Sequence, residues 1–195
     1  VIFVALRQLR LVVYRRERLL GFMVDRNAHD SFRSDRYLKR LDRDVIEAAG
    51  RQCPEDASFT SYLKRASERL ADPSSAGYVL CSPDGDYVSF GWATSMDGYH
   101  VEELGIHLEG RRILIFDCYT PVQHRGKRYY TTALHLVVQE HKENKGQLVI
   151  LCSEQNPASL KGILNAGFKQ KFVIDTKLIL GRIWKTRLDR DPAQF

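Results

Sequence analysis

The four cysteines, Cys53, Cys81, Cys118 and Cys152, are widely separated and form no Cys-x-x-Cys pair, so neither a zinc ribbon nor a dithiol redox motif is indicated. Three of them lie in apolar, strand-like runs. They are expected as buried free thiols that pack as small hydrophobes in a reducing compartment. Long apolar runs are also missing. Residues 1–6 are apolar, but Arg7 and Arg10 interrupt them well before the roughly 18–20 residues that a membrane span needs, so no transmembrane helix is predicted. A secretory leader needs a basic segment before the apolar stretch and a small-residue cleavage site after it. Neither is visible, and a cytoplasmic protein is expected. There is no internal repeat, no low-complexity tract and no interdomain linker. Nor is there an unbroken basic run. The formal charge of +6 favours an anionic partner such as a nucleotide or an acidic headgroup, yet the basic residues alternate with acids, as in Arg40-Leu41-Asp42-Arg43-Asp44. A solvated mixed-charge surface accounts for most of them, and nucleic acid is not the expected partner.

What is present suits one folded domain over residues 1–195, because 44% hydrophobic and 28% charged residues are ordinary for a globular chain of this length. Ile2, Leu6, Leu9 and Val13 recur at helical spacing with most arginines off that stripe, which predicts an amphipathic helix over residues 1–18. Residues 19–24 read as a first strand, closed by Asp25-Arg26-Asn27. Helices are predicted over 31–52, stopped near Gly50, and over 57–71, with Phe59, Leu63, Ala66 and Leu70 on one stripe. Residues 77–81 and 87–92 form a hairpin across Ser82-Pro83-Asp84-Gly85-Asp86. A less regular stretch containing Gly98, Gly105 and Gly110 leads to a third strand over 112–119. A helix over 131–142 follows, then a buried strand over 148–152 and a helix from Asn156-Pro157 to Gly167. Two closing strands fall at 172–174 and 178–184. The strand–helix–strand portion supplies parallel pairing, so the fold class is α/β with a mixed central sheet flanked by helices.

The chemistry concentrates between the third strand and the helix after it, in Asp117-Cys118-Tyr119-Thr120-Pro121-Val122-Gln123-His124-Arg125-Gly126-Lys127-Arg128-Tyr129-Tyr130-Thr131. A basic turn opening a helix offers unpaired amides and the positive end of the helix dipole, both of which favour a phosphate. This segment resembles the acyl-CoA-binding segment of the GNAT superfamily of N-acyltransferases. A second likeness lies in Cys152-Ser153-Glu154-Gln155-Asn156-Pro157-Ala158-Ser159-Leu160, which leads through Ile163 to Ala166-Gly167-Phe168. Together they assign residues 77–184 as an acyl-CoA-binding core, with 19–76 holding the first strand and two helices. The resemblance implies that the strand end holds the pantetheine arm through backbone groups and that the loop wraps the pyrophosphate. The implied cofactor-binding residues are Cys118, Thr120, Val122, Arg125, Gly126, Lys127, Arg128, Tyr129, Tyr130, Thr131 and Asn156, with acetyl-CoA or another acyl-CoA as cosubstrate.

Three positions depart from the family's pattern. Arg128 and Tyr130 stand where it prefers glycine or a small residue, so Arg128 either adds a phosphate contact or crowds the loop. Ile163 stands where many relatives carry a tyrosine that protonates the departing thiolate, a role then open to Tyr119, Tyr130 or Ser159. An attacking amine must also lose a proton. Asp117 is the leading candidate, because it interrupts an apolar strand where burial disfavours a carboxylate's charge. Accepting hydrogen bonds from a neighbouring loop is the equal alternative for it. Glu102, Glu103 and His100 upstream are acceptor-side candidates, His124 is expected in a solvated turn, and Trp92 in the core. The catalytic set is therefore Asp117, Glu103 and Tyr130, with no metal.

The expected activity is transfer of an acetyl or other acyl group to a small-molecule amine. The basic opening segment and the Arg-Gly-Lys-Arg-Tyr-Tyr loop are similar to GNAT-like proteins of cell-surface polysaccharide pathways, which raises an amino sugar among acceptors. The rival readings are a non-catalytic binding module of the same fold and a protein held peripherally at a membrane surface by residues 1–18. Oligomeric state, acyl chain and acceptor stay open.

Overall fold

The computed structural model describes residues 14–24, 32–101, 106–141, 147–179 and 182–190. Strand β1 (Tyr14–Val24) already covers the second part of the predicted opening helix. Its residues alternate between faces, with Leu20, Phe22 and Val24 in one core cluster and Met23 in another, the period of a strand. Arg16 pairs with Asp175 across the sheet, and Arg18 Nη1 reaches Glu154 Oε1 at 2.6 Å, contacts that only an extended chain makes. The helix expected over 1–18 is thus a strand from Tyr14 onward, and residues 1–13 lie outside the described residues.

The helix expected over 31–52 is also shorter. Strand β2 (Tyr37–Arg40) occupies its first part, and helix α1 (Arg43–Gln52) starts where Asp42 Oδ1 accepts the Val45 amide at 2.8 Å. Helix α2 (Ala57–Arg69) follows with Asp56 as its cap. Strands β3 (Ser75–Cys81) and β4 (Tyr87–Ser95) form the expected hairpin. The irregular stretch holds a small separate hairpin, β5 (Tyr99–Val101) and β6 (Ile106–Leu108), which has no counterpart among the predicted elements. Then come β7 (Ile113–Tyr119), helix α3 (Tyr129–Glu140), β8 (Leu148–Ser153), helix α4 (Pro157–Asn165), β9 (Lys169–Ile179) and β10 (Arg182–Arg190). The predicted strand at 178–184 instead overlaps the end of β9 and the start of β10.

Eight strands make one sheet in the order β10-β9-β1-β8-β7-β4-β3-β2, antiparallel except for β7 beside β8. Helices α3 and α4 cover one face, through Leu134, Val137, Val138 and Ile163. The other face carries α1 and α2 over β3 and β4, and the β5–β6 hairpin over Leu114, Val149 and Ile174. Among the described residues no helix is long and apolar enough to cross a membrane.

Gly21 of β1 lies opposite Phe172 of β9, and a methyl group on Gly21 would overlap the Phe172 ring. Gly21→Ala is therefore expected to lower unfolding stability by about 1–3 kcal/mol, as overpacking does. In Phe172→Ala the same change should cost far less, so a denaturant-unfolding double-mutant cycle shows strong coupling. Additive effects would remove this register.

Candidate functional site

Strands β7 and β8 pair in parallel only from Ile113 with Leu148 to Ile115 with Ile150. Beyond that they part, β7 staying with β4 and β8 with β1. The cause lies in β7. Trp92 pairs with Phe116 and Phe90 with Tyr119, so Gly91 alone faces both Asp117 and Cys118. Two residues against one is a β-bulge, which bends the strand that carries it. Asp117 takes φ 44°, the left-handed region that aspartate tolerates better than most residues. Cys118 Sγ lies 3.2 Å from where a Cβ on Gly91 would stand, so glycine makes room for the bulge.

The Asp117 carboxylate is only partly buried, contrary to expectation. Its side chain is 26% exposed, and Arg69 at the end of α2 donates to Oδ2 at 2.5 Å. That guanidinium lies 5.0 Å from both the Trp92 and Phe116 rings. Trp92 is a core residue as expected, its indole donating to the Tyr62 hydroxyl at 3.2 Å.

On the helical side of the gap, Tyr130 of α3 lays its ring on Gly162 of α4, with Cδ1 2.5 Å from where a side chain there would begin. Its hydroxyl lies beside Cys118, and both groups lie near Cys152. Burial, reinforced by the Asp117 charge and by Cys152, pushes the Cys118 thiol up to about 12. Burial, then Cys118 and Cys152, raises the Tyr130 phenol well above its ordinary value. Both therefore keep their protons at neutral pH. Ile163, at the position where many GNAT proteins carry a tyrosine, is fully buried core.

The loop after β7 is latched to the α1–α2 connection. Asp56 accepts from Phe59 N at 2.9 Å, Val122 N at 3.0 Å and the Tyr119 hydroxyl at 3.2 Å. Gln123 Nε2 meets Cys53 Sγ at 2.9 Å, and Arg125 Nε donates to Thr120 O at 3.0 Å. Thr120 Oγ1 also bonds Ser89 Oγ at 3.1 Å. His124, expected in a solvated turn, is buried at 7% exposure, and burial holds its imidazole below the ordinary value. The chain then turns through Gly126 at φ 77° and Arg128 at φ 60° into α3.

Among the described residues no side chain caps α3, which leaves amides of its first turn available to a ligand. Lys127, Arg128 and Thr131 line an open pocket of about 680 Å³ beside this helix start, together with Arg33 and Arg36 from the stretch before β2. Asn156 caps α4, its Oδ1 accepting Ser159 N at 3.1 Å. Of the acceptor-side candidates, His100 stacks on His107 in the small hairpin, with ring centroids 4.6 Å apart. Glu102 and Glu103 lie outside the described residues. Sequence reasoning misses Asp56, Arg69, Gly91 and Gly162. Only Asp56 has a local signal, an aspartate just ahead of a helical stripe.

No protein-family model and no curated protein sequence matches this chain. Solved structures match its fold. A functionally unknown conserved protein from Staphylococcus epidermidis aligns with TM-score 0.57 at 10% identity, over 96% of this chain and 67% of its own. A protein from Novosphingobium aromaticivorans, assigned as an acetyltransferase of the GNAT family, aligns with TM-score 0.54 at 14% identity, over 91% and 66%. A Drosophila protein aligns with TM-score 0.50 at 10% identity, over 91% and 56%. The chain therefore spans between about half and two thirds of the length of these structures, and it has the GNAT fold.

Asp56→Ala should cut both the cap and the latch. Desolvation pushes this carboxyl up, but the Val122 and Phe59 amides, the Tyr119 hydroxyl and Arg125 outweigh it and hold it below its ordinary value of 3.8. A cap of this kind contributes about 1–2 kcal/mol. Because the folded value is depressed, the contribution is complete above the unfolded value and disappears as pH falls through the folded one. Thermal melts of wild type and Asp56→Ala are expected to differ at neutral pH and to converge in acid. A difference that stays constant down to the most acid pH at which both proteins still fold would refute the assignment.

Proposed function

We propose that this chain is an N-acyltransferase that moves an acetyl or other acyl group from acyl-coenzyme A to an amine. The observation that carries this reading is the parting of β7 from β8 directly in front of the uncapped start of α3. Parted strands leave main-chain donors and acceptors unpaired, and an amide-bearing arm such as pantetheine can complete them as a short strand would. The helix start with Lys127 and Arg128 suits a pyrophosphate. Gly126, at φ 77° and with nothing within 4 Å of where a Cβ would stand, lets the backbone turn there. The residues present thus fit the cosubstrate, which when bound supplies an activated thioester and a thiolate leaving group.

Within that frame Tyr130 is the proton donor to the leaving sulfur. Its phenol stands in the gap beside Cys118 and is kept protonated by burial. Asp117 is a positioning residue. Its carboxylate is committed to Arg69, and the pair fixes the left-handed bulge that opens the gap. Amino sugars head the acceptors, on the strength of the basic opening segment and the Arg-Gly-Lys-Arg-Tyr-Tyr loop.

Acetyl-CoA is expected to raise the melting temperature, because a ligand of the native state stabilises it by mass action. Thiol release across a panel of amines, amino sugars first, tests transfer itself. Binding without turnover on any amine would favour the non-catalytic module, and no binding at millimolar ligand would remove the reading. Once an acceptor is found, Tyr130→Phe should slow kcat by about 10²–10⁴-fold with acetyl-CoA affinity retained.

Asp117→Asn separates positioning from base catalysis. Loss of the charged partner of Arg69 is expected to lower the melting temperature, while turnover per folded molecule stays within about tenfold of wild type. A fall of roughly 10²–10⁴-fold with an unchanged melting temperature would instead make Asp117 the base.

A further inference from the structure

The open pocket above α3 has two walls, and only one belongs to the loop that the sequence motif covers. The other is the stretch ahead of β2, which contributes Arg33 and Arg36. This stretch is docked on α3. The Phe32 ring stacks on His135 with centroids 4.1 Å apart, and Gln139 Nε2 donates to Phe32 O at 3.0 Å. Arg36 is placed by three contacts. Its Nη1 donates to Thr132 Oγ1 at 3.3 Å, its guanidinium lies 4.6 Å over the Tyr129 ring, and its own amide donates to Ser34 Oγ at 3.0 Å.

The electrostatics are one-sided. Arg33, Arg36, Lys127 and Arg128 converge on a pocket whose only carboxylate among the described residues is Asp35. Asp35 is 73% exposed and reaches Arg36 Nε no closer than 3.9 Å, too long for a hydrogen bond. Arg36 Nε is buried and makes no hydrogen bond among the described residues. A buried charged donor without a partner is costly, and an anion beside the Arg36 guanidinium offsets its charge and that of the neighbouring cations. His135 adds no fifth charge, because burial holds its imidazole below the ordinary value.

We infer that Arg36, assisted by Arg33, is a phosphate ligand brought by the segment before β2, and that the pocket takes the phosphates of a nucleotide. It thereby makes the protein select acyl carriers that end in a nucleotide over carriers that end in a bare 4'-phosphopantetheine. The inference rests on the acyltransferase reading for the carrier, but the pocket's ligand class stands on its own residues. Planar guanidinium forks suit phosphate better than lysine does, and the helix start completes the cradle from the other side.

The probes are coenzyme A, dephospho-coenzyme A, 4'-phosphopantetheine and adenosine 3',5'-bisphosphate, each titrated calorimetrically into the folded chain and into Arg36→Ala, Arg36→Lys and Arg33→Ala. Adenosine 3',5'-bisphosphate is expected to bind wild type. Arg36→Ala should weaken it and coenzyme A by about ten- to a hundredfold, the loss of one charge-assisted hydrogen bond. Binding of 4'-phosphopantetheine should stay within about twofold, since the rest of the cradle is untouched. Arg36→Lys should recover part of the loss, and Arg33→Ala, at an exposed position, should show a smaller loss in the same direction. The ratio between coenzyme A and dephospho-coenzyme A tells whether the 3'-phosphate or the pyrophosphate is held. Failure of adenosine 3',5'-bisphosphate to bind wild type, or equal affinity in a folded Arg36→Ala, overturns the inference. Acyl transfer is a separate readout, so its absence with nucleotide binding intact would end the acyltransferase reading and leave the pocket standing.

Discussion

One extra residue in β7 governs the site. Opposite Gly91 the strand carries two residues where its partner carries one, and the parallel pairing with β8 ends at Ile115, two residues before Asp117. A bulge of this kind cannot persist as a free defect. It needs a residue that accepts left-handed φ, space on the partner strand and compensation for any charge it turns out of the sheet. Asp117, Gly91 and Arg69 meet those needs in turn, and the Trp92 and Phe116 rings beside Arg69 join the arginine to the core. The gap is thus held open by packing on the far face of the sheet, away from the helices that line it.

Asp56 extends the same economy of parts to the loop. A single carboxylate caps α2, holds the Val122 amide and accepts from Tyr119, so the helix pair and the loop are positioned as one unit. Because the Val122 amide is engaged there, the donors left for an anion lie further along, at the start of α3. That end of the loop lies beside the stretch that carries Arg33 and Arg36, and the two line one basic pocket.

How far this is readable from sequence follows from which interactions are local. Helices α2, α3 and α4 are visible because apolar spacing and end signals such as Asn156-Pro157 and Gly167 lie within each segment. Residues 14–18 mislead because their helical spacing depends on counting Leu9 and Val13 with them, whereas Arg16 and Arg18 are fixed by Asp175 and Glu154 far along the chain. Residues 37–40 mislead for a similar reason. Their pairing with β3 is remote, and the Asp42 cap that starts α1 lies inside what looks like one helical stripe. The basic loop between a strand and a helix is legible from its residues, but the bulge is not, since it is a count of residues on one strand against another. Arg69 carries no local sign of its role for the same reason.

The two large residues at positions where a small one is preferred show how the chain accommodates its own departures. Arg128 takes the left-handed turn that glycine would take without strain, at a cost on the order of 1–2 kcal/mol, and its side chain then points where the basic pocket gathers charge. Tyr130 would collide with any side chain at position 162, and that position is glycine, in mid-helix, where glycine is otherwise unfavourable. A helical glycine under an aromatic ring is a steric complement, so Tyr130 and Gly162 form a pair. The next residue, Ile163, is sealed in the core and can present nothing to the gap. Helix α4 thus carries no phenol at position 163 while α3 carries one at 130, and the space that its ring fills is cleared by Gly162, the residue next to Ile163.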